Sequence, residues 1–332
     1  MNIALIGYGY WGPNLARNIN QHPVMDLYYI CDNNENRISE AKKLYPHTLL
    51  THNTDDIIND ENVHCVVIAT NPSQHYKLAK QSLLSGKHVL VEKPMALSFK
   101  ETDELINIAV SNKLIIFSDF TFLYNGAIKK IDKIIKSGDL GRILYIDATR
   151  INLGIFQNDV NVLGDLATHD LSAILSFIEE KPVAVSAVGR CHIKKDIENL
   201  AYLTLFYNSD LIVHIHCSWS APVKIRQMII GGDKKMLIYN DIEPSEKIKV
   251  YDSGITFNYE EKESILIDYR RGDVFVPKYD TTEPLKIMID KFANCVIKNQ
   301  QDIKNIQISL KIAQILDKAK LSLQNQGKTI LL

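Results

Sequence analysis

A doubly wound parallel α/β sheet, followed by an α+β unit with a large antiparallel sheet, is the fold class this sequence predicts. Three observations predict it. Strand-like and helix-like segments alternate up to about residue 118, as a parallel sheet with crossover helices requires. Gly7-Tyr8-Gly9-Tyr10-Trp11-Gly12 directly follows the apolar run Asn2-Ile3-Ala4-Leu5-Ile6, which fits a G-x-G-x-x-G strand-to-helix turn. After helices near 124–136 and 164–178, strand-like segments succeed one another without intervening helices, which argues an antiparallel sheet.

Each element has a local reason. In the glycine-rich turn, Gly7 permits the tight bend, Gly9 lets the backbone approach a pyrophosphate, and Gly12 lets helix and strand pack closely. A helix opening there aims its free N–H groups and positive dipole end at the phosphates. Residues 25–31 read as the second strand and end at Asp32, twenty residues beyond Gly12. A carboxylate at that point holds the two ribose hydroxyls of NAD and repels the extra phosphate of NADP. NAD is therefore favoured, although Asn33, Asn34 and Arg37 leave room for NADP. Residues 63–70 form a buried-strand run, Asn71 caps and Pro72 opens a helix to about Leu84, and Gly86 ends it. A strand over 88–92, a helix over 98–112 and a strand over 114–117 complete a six-element Rossmann pattern.

The second unit has candidate strands at 142–151, 183–190, 199–207, 210–219, 224–231, 234–240 and 247–251. Gly231-Gly232-Asp233 reads as a hairpin turn between two of them. Amphipathic helices over 283–298 and 302–324 finish the chain. This gives a dinucleotide-binding domain over 1–120 and a substrate-binding and oligomerisation domain over 121–332, whose last helix can pack back on the first.

Composition excludes several functions. With 38 basic and 39 acidic residues, the chain has no global field that would draw it to nucleic acid or an acidic membrane. No apolar run approaches the roughly 20 residues of a membrane helix, and the N-terminus enters the first strand directly, so a cytoplasmic location is expected. The five cysteines, Cys31, Cys65, Cys191, Cys217 and Cys295, are scattered and mostly inside apolar runs. They read as buried thiols and not as a disulfide framework or a zinc site. His214 and His216 share one strand face, but no ligand at a matching spacing completes a metal site, so none is expected.

Two further motifs carry chemistry. Glu92-Lys93-Pro94 sets a lysine at the carboxyl end of a parallel strand, the edge of an open α/β sheet where ligands bind. Alone, that lysine reads as a solvated surface residue at a strand end. Asp165 and His169, in Gly164-Asp165-Leu166-Ala167-Thr168-His169-Asp170, lie one helical turn apart and can face the same way. A lysine, a carboxylate and an imidazole together can take a hydroxyl proton while hydride leaves the same carbon.

The order of these motifs resembles the glucose-fructose oxidoreductase and inositol dehydrogenase family over essentially the whole chain. The resemblance implies catalytic roles for Lys93, Asp165 and His169. It implies cofactor contacts for Gly7, Tyr8, Gly9, Tyr10, Trp11, Gly12, Asp32, Asn33 and Arg37, and for Thr70, Asn71, Pro72, His75, Glu92 and Lys93. Where many relatives carry Arg before Asn-Pro, this chain has Leu123-Tyr124-Asn125-Gly126, which puts the arginine's substrate contact in doubt and leaves Tyr124 and Asn125. The segment 150–159 with 165–170 looks like the nucleotide-sugar and surface-polysaccharide branch. There Arg150, Asn152, Gln157 and Asn158 offer donors to a sugar or diphosphate, and equally suit an exposed loop.

The expected function is therefore NAD-dependent hydride transfer at a secondary alcohol carbon of a sugar, C3 of a nucleotide-linked hexose above all. Oxidation of a free cyclitol or aldose, and a dinucleotide-bound regulatory protein without turnover, are the alternatives. Either His169 or Lys93 carries the proton. The resemblance also implies a homodimer or homotetramer formed through the second sheet.

Overall fold

A computed structural model describes residues 1–258 and 266–332. The chain divides into two compact units, Met1–Tyr124 with Thr282–Gln314, and Asn125–Thr281 with Ile315–Leu332.

The first unit runs β1 (Asn2–Ile6), α1 (Gly12–Asn20), β2 (Asp26–Cys31), α2 (Glu35–Leu44), β3 (Leu49–Thr51), α3 (Thr54–Ile58), β4 (Cys65–Ile68), α4 (Pro72–Leu84), β5 (His88–Glu92), α5 (Phe99–Ser111) and β6 (Ile116–Asp119). Its six strands are parallel in the order β3-β2-β1-β4-β5-β6. The order reverses between β1 and β4, which is the switch point where such sheets bind ligands. Val66, Val67, Val89, Leu90 and Val91 are fully buried, as apolar runs covered on both faces should be. The sequence reading missed α2, β3 and α3. Leu49-Leu50-Thr51 is too short to show a period, and α2 has a weak apolar face and stands on its cap: the Asn34 side chain accepts the N–H groups of Asn36 and Arg37.

In the second unit, α6 (Gly126–Lys136) precedes β7 (Ile143–Leu153). A π-helical turn over Leu163–Ala167 leads into α7 (Thr168–Phe177), and β8 (Ala184–Arg190), β9 (Leu200–Phe206), β10 (Ile212–Ser218), β11 (Ser220–Gly232), β12 (Met236–Asn240), β13 (Ile248–Asn258) and β14 (Leu266–Phe275) follow. The strand order is β14-β13-β12-β11-β7-β10-β9-β8, with one further short strand beyond β8. Among the described residues every pairing is antiparallel except β7 with β10. β14 was not expected: its Arg270-Arg271-Gly272-Asp273 stretch carries no apolar run, yet its backbone pairs with β13.

A charged pair lies inside this unit's core. Arg150 on β7 donates from Nε and Nη2 to the Asp170 carboxylate on α7 at 2.7 and 2.9 Å, and Arg150 is 2% exposed. Burial opposes the guanidinium charge, but Asp170 and then Asp241, 4.0 Å away, more than offset it, so its pKa is raised. The pair ties the first turn of α7 to the sheet.

After the second sheet, α8 (Pro284–Lys298) buries Leu285, Met288, Ile289 and Phe292 in the first unit's core with Phe117 and Tyr124. Helix α9 (Ile303–Gln324) follows, and its residues are divided between the two units. Near its start, Asn305 accepts from the Ser118 N–H and donates to the Ser118 carbonyl, both at 2.9 Å, so its amide extends β6 like another strand. Near its end, Ser322 Oγ accepts the Ala187 N–H at 2.8 Å, and β15 (Ile330–Leu331) pairs with β8. Among the described residues, no helix is long and apolar enough to cross a membrane.

Leaving one partner of a buried ion pair uncompensated costs about 3–5 kcal/mol, whereas replacing both with apolar groups is close to neutral. Asp170→Ala should therefore lower unfolding stability by about 3–5 kcal/mol in urea denaturation, and Arg150→Met with Asp170→Leu should recover most of it. Equal losses in both would remove the pair from this role.

Candidate active site

The candidate residues fall into two sets, one on each unit. The first set surrounds the turn after β1. Gly7 has φ +99°, and a Cβ there would sit 2.4 Å from the Ala69 carbonyl oxygen, so only glycine lets the chain cross the end of β4. A Cβ on Gly12 would meet the Gly7 carbonyl oxygen at 2.4 Å. Gly9 is different, since a Cβ there would meet nothing nearer than Arg37 Nη1 at 3.5 Å. That open side is where a phosphate can approach.

The turn and the second strand hold one carboxylate between them. Asp32 is 8% exposed. Its Oδ2 accepts the Tyr8 N–H at 2.7 Å and Arg37 Nη1 at 3.3 Å, while Oδ1 accepts the Asn34 N–H at 2.8 Å. Each oxygen has further acceptor capacity, so Oδ1 can still take a ribose hydroxyl. Asn33 and Arg37 are exposed beside it. The Tyr8 ring is buried in the core, and burial pushes its phenol up to about 12. Tyr10 stands out at the tip of the turn, 86% exposed. Trp11 donates its indole N–H to Asp119 at 3.1 Å.

The residues after β4 and β5 meet through a histidine. His75 is buried, with Nδ1 2.8 Å from the Pro94 carbonyl oxygen and Nε2 3.0 Å from that of Thr70. It latches the end of β4 to the segment following Lys93. This makes His75 a brace between two loops, where the sequence suggested a cofactor contact. Asn71 occupies the cap position of α4 before Pro72 but makes no side-chain capping bond, so the expected cap is absent and its exposed amide is open to a ligand. Glu92 ends β5, and its Oε2 accepts the Lys93 N–H at 3.1 Å.

The second set lies where the π-helical turn meets α7. Asp165 sits in the wide turn and His169 in the first turn of α7, both half-buried. A π-helical turn marks functional positions more often than a plain helix does. Asp165 Oδ2 accepts the Trp219 indole N–H at 3.0 Å. Trp219 is 1% exposed and packs edge-on against Phe156 at 5.6 Å. Asn152 and Gly154 border the same indole, since a Cβ on Gly154 would lie 3.0 Å from Asn152 Nδ2 and 3.1 Å from Trp219 Cδ1.

Three expected substrate contacts have other tasks. Arg150 is closed into the core by Asp170, the residue next to His169, so it braces the start of α7 and offers no donor to a sugar. Asn125 caps α6, with its side-chain oxygen accepting the Ala127 and Ile128 N–H groups at 2.8 and 3.4 Å. Tyr124 is buried and stacked on Phe117 at 6.3 Å, and its phenol is raised by burial. Asn158 lies exposed, with its carbonyl and side-chain oxygens accepting Lys194 Nζ at 3.2 Å. Gln157 is half-buried.

Sequence reasoning missed Asp119, Asp170 and Trp219. The one available signal was scarcity. The chain has two tryptophans, and each donates its indole N–H to a carboxylate in a candidate set.

Comparison with known proteins gives the family and the fold. Residues 1–120 match the family model described as oxidoreductase family, NAD-binding Rossmann fold, and residues 128–238 match the GFO/IDH/MocA C-terminal domain. The chain belongs to the Gfo/Idh/MocA family. Myo-inositol 2-dehydrogenase of Thermotoga maritima is 26% identical over 209 residues, 59% of this chain and 60% of that one. Against four such curated relatives the chain spans 30% to 61% of the relative's own length. Among solved structures, UDP-N-acetylglucosamine 3-dehydrogenase of Acidithiobacillus ferrooxidans has a TM-score of 0.78 at 20% identity, covering 98% of both chains. A 3-ketoreductase of Actinomadura kijaniata in complex with TDP-benzene and NADP has a TM-score of 0.81 at 16% identity, covering 98% of this chain and 97% of that one. These two likenesses establish the fold.

The first set fits the dinucleotide of a Gfo/Idh/MocA protein: an open glycine for the phosphates and a carboxylate for the ribose. Calorimetric titration should show NAD binding more tightly than NADP, since Asp32 opposes a 2′-phosphate. Asp32→Ala should erase most of that preference. A preference unchanged by the substitution would take Asp32 out of the discrimination.

Proposed function

We propose that this chain moves a hydride between NAD and a secondary alcohol carbon of a sugar, namely C3 of a nucleotide-linked hexose used in surface-polysaccharide biosynthesis. The observation that carries the reading is Asp165, fixed by the Trp219 indole, with His169 one turn further on. Solved structures of the same fold include a UDP-N-acetylglucosamine 3-dehydrogenase and a 3-ketoreductase holding a TDP compound, which supports both the C3 position and the nucleotide. The likeness to myo-inositol 2-dehydrogenase favours a free cyclitol as the second reading. A cytoplasmic homodimer or homotetramer paired through the nine-stranded sheet belongs to the same proposal.

Bound NAD supplies the hydride acceptor. Gly9, in the turn that Gly7 and Gly12 allow, would admit its phosphates, and Asp32 would hold its ribose. His169 takes the hydroxyl proton as general base, with Asp165 keeping the ring oriented and favouring the imidazolium that forms. Lys93 polarises the reacting oxygen and stabilises developing alkoxide charge. Asn152 and Gln157 offer amide donors to the sugar or its diphosphate.

Incubation with NAD and a panel of nucleotide sugars, cyclitols and aldoses, read by cofactor absorbance, separates the readings. Turnover with a cyclitol alone would establish the second, and none with any member would exclude both. With the responsive substrate, Lys93→Ala should lower kcat by roughly a hundredfold or more while NAD titrates normally. His169→Ala should slow the reaction by roughly two to four orders of magnitude, and Asp165→Asn by less, because the amide keeps one orienting hydrogen bond. If Asp165→Asn proves as damaging as His169→Ala while Lys93 variants alone erase the pH dependence, the proton belongs to Lys93.

A further inference from the structure

Two acids face each other at the carboxyl edge of the first sheet, outside every role assigned above except the expected cofactor contact of Glu92. Glu92 ends β5 and Asp119 ends β6, and they are register partners across the parallel pair. Asp119 is 3% exposed. The two side-chain carboxyls lie close enough to act directly on each other. Their outer oxygens have donors: Glu92 Oε2 accepts the Lys93 N–H, and Asp119 Oδ2 accepts the Trp11 indole N–H. Glu92 Oε1 and Asp119 Oδ1 are closed to solvent and meet no N–H or O–H donor. Two carboxylates have no hydrogen to share, so a bond between them requires that one be protonated. The same proton satisfies both orphaned oxygens.

We infer that Glu92 and Asp119 share a single proton, and that the one negative charge left on the pair positions the Lys93 ammonium. The ionisable groups acting on the pair are Lys93, which favours its charge, and the Tyr124 phenol next to Asp119. Burial, then the charge of Asp119, raises Glu92 well above the usual carboxylate range, and burial raises Asp119. Burial thus favours a pair that keeps its proton. Ionising it would set two buried charges against one lysine. The indole of Trp11 carries the state of the pair to the glycine-rich turn. The statement about Lys93 rests on its proposed work at the reacting oxygen; the shared proton does not.

Isosteric variants separate these statements. In Glu92→Gln the amide donates to Asp119, and in Asp119→Asn it donates to Glu92, so each keeps the hydrogen bonds and one negative charge but has no proton to lose. The double variant has neither proton nor charge. On the full chain, pH-difference infrared spectroscopy should show a protonated carboxylic acid at neutral pH that is missing in Glu92→Gln and in Asp119→Asn. With Trp219→Phe leaving Trp11 as the sole tryptophan, emission should titrate with one transition above the usual carboxylate range, and either isosteric variant should abolish it. Because the folded pKa is raised, stability held by the shared proton is lost as pH rises through that transition, so the melting temperature should fall there in the parent and stay flat in the variants. A carboxylic-acid band or a Trp11 transition that survives both substitutions would overturn the shared proton. For the second statement, kcat of the double variant should lie on the order of tenfold or more below either single variant. An equal kcat would overturn the positioning of Lys93. If Lys93→Ala also turned over normally, the catalytic reading of Lys93 would fail while the spectroscopic result stood.

Discussion

One steric constraint organises the first unit: the chain leaving β1 passes so close to the end of β4 that a Cβ on Gly7 would overlap the Ala69 carbonyl. That crossing carries the Tyr8 N–H to the Asp32 carboxylate and the Trp11 indole to Asp119. Gly9 is left with an open face between them. The turn thus links β1, β2 and β6 at the carboxyl edge of the sheet, where a parallel α/β architecture presents its loops to ligands. A side chain at residue 7 would disturb both contacts through one displacement.

The second unit solves a similar problem with charge. Asp165 and His169 stand on a π-helical turn and the start of a helix, a junction that is free to shift unless it is held. Arg150 grips Asp170 from the sheet below, and Trp219 grips Asp165 from the end of β10. Both holding groups are almost fully buried, so the acid and the imidazole sit on a rigid base while remaining half-exposed themselves. The proton transfer proposed for them would draw on that support.

Much of this was legible in the sequence. Five of the six strands of the first sheet follow from alternating apolar runs and glycine stops, and the positions of Gly7, Gly9, Gly12 and Asp32 follow from a turn whose steric demands admit few other residues. What was not legible has a common cause. Arg150, Asn125 and Tyr124 look like ligand donors in sequence because polarity is visible there and direction is not. The fold turns Arg150 inward to Asp170, Asn125 onto a helix start and Tyr124 onto Phe117. Asp119 and Asp170 were passed over for the complementary reason: their partners are distant in sequence, and only strand register or helix docking brings them together. β14 was hidden by charged residues on a strand whose backbone pairing does not depend on apolar side chains.

The central claim, hydride transfer from a sugar carbon to NAD, is tested most directly by following the hydrogen itself. A nucleotide-linked hexose deuterated at C3, incubated with NAD and the purified chain, should give reduced cofactor carrying deuterium at nicotinamide C4 when read by mass spectrometry, with turnover slower than for the unlabelled sugar. Reduced cofactor that contains no deuterium would contradict C3 as the reacting carbon, and labelled sugar that leaves NAD wholly oxidised would contradict the account itself.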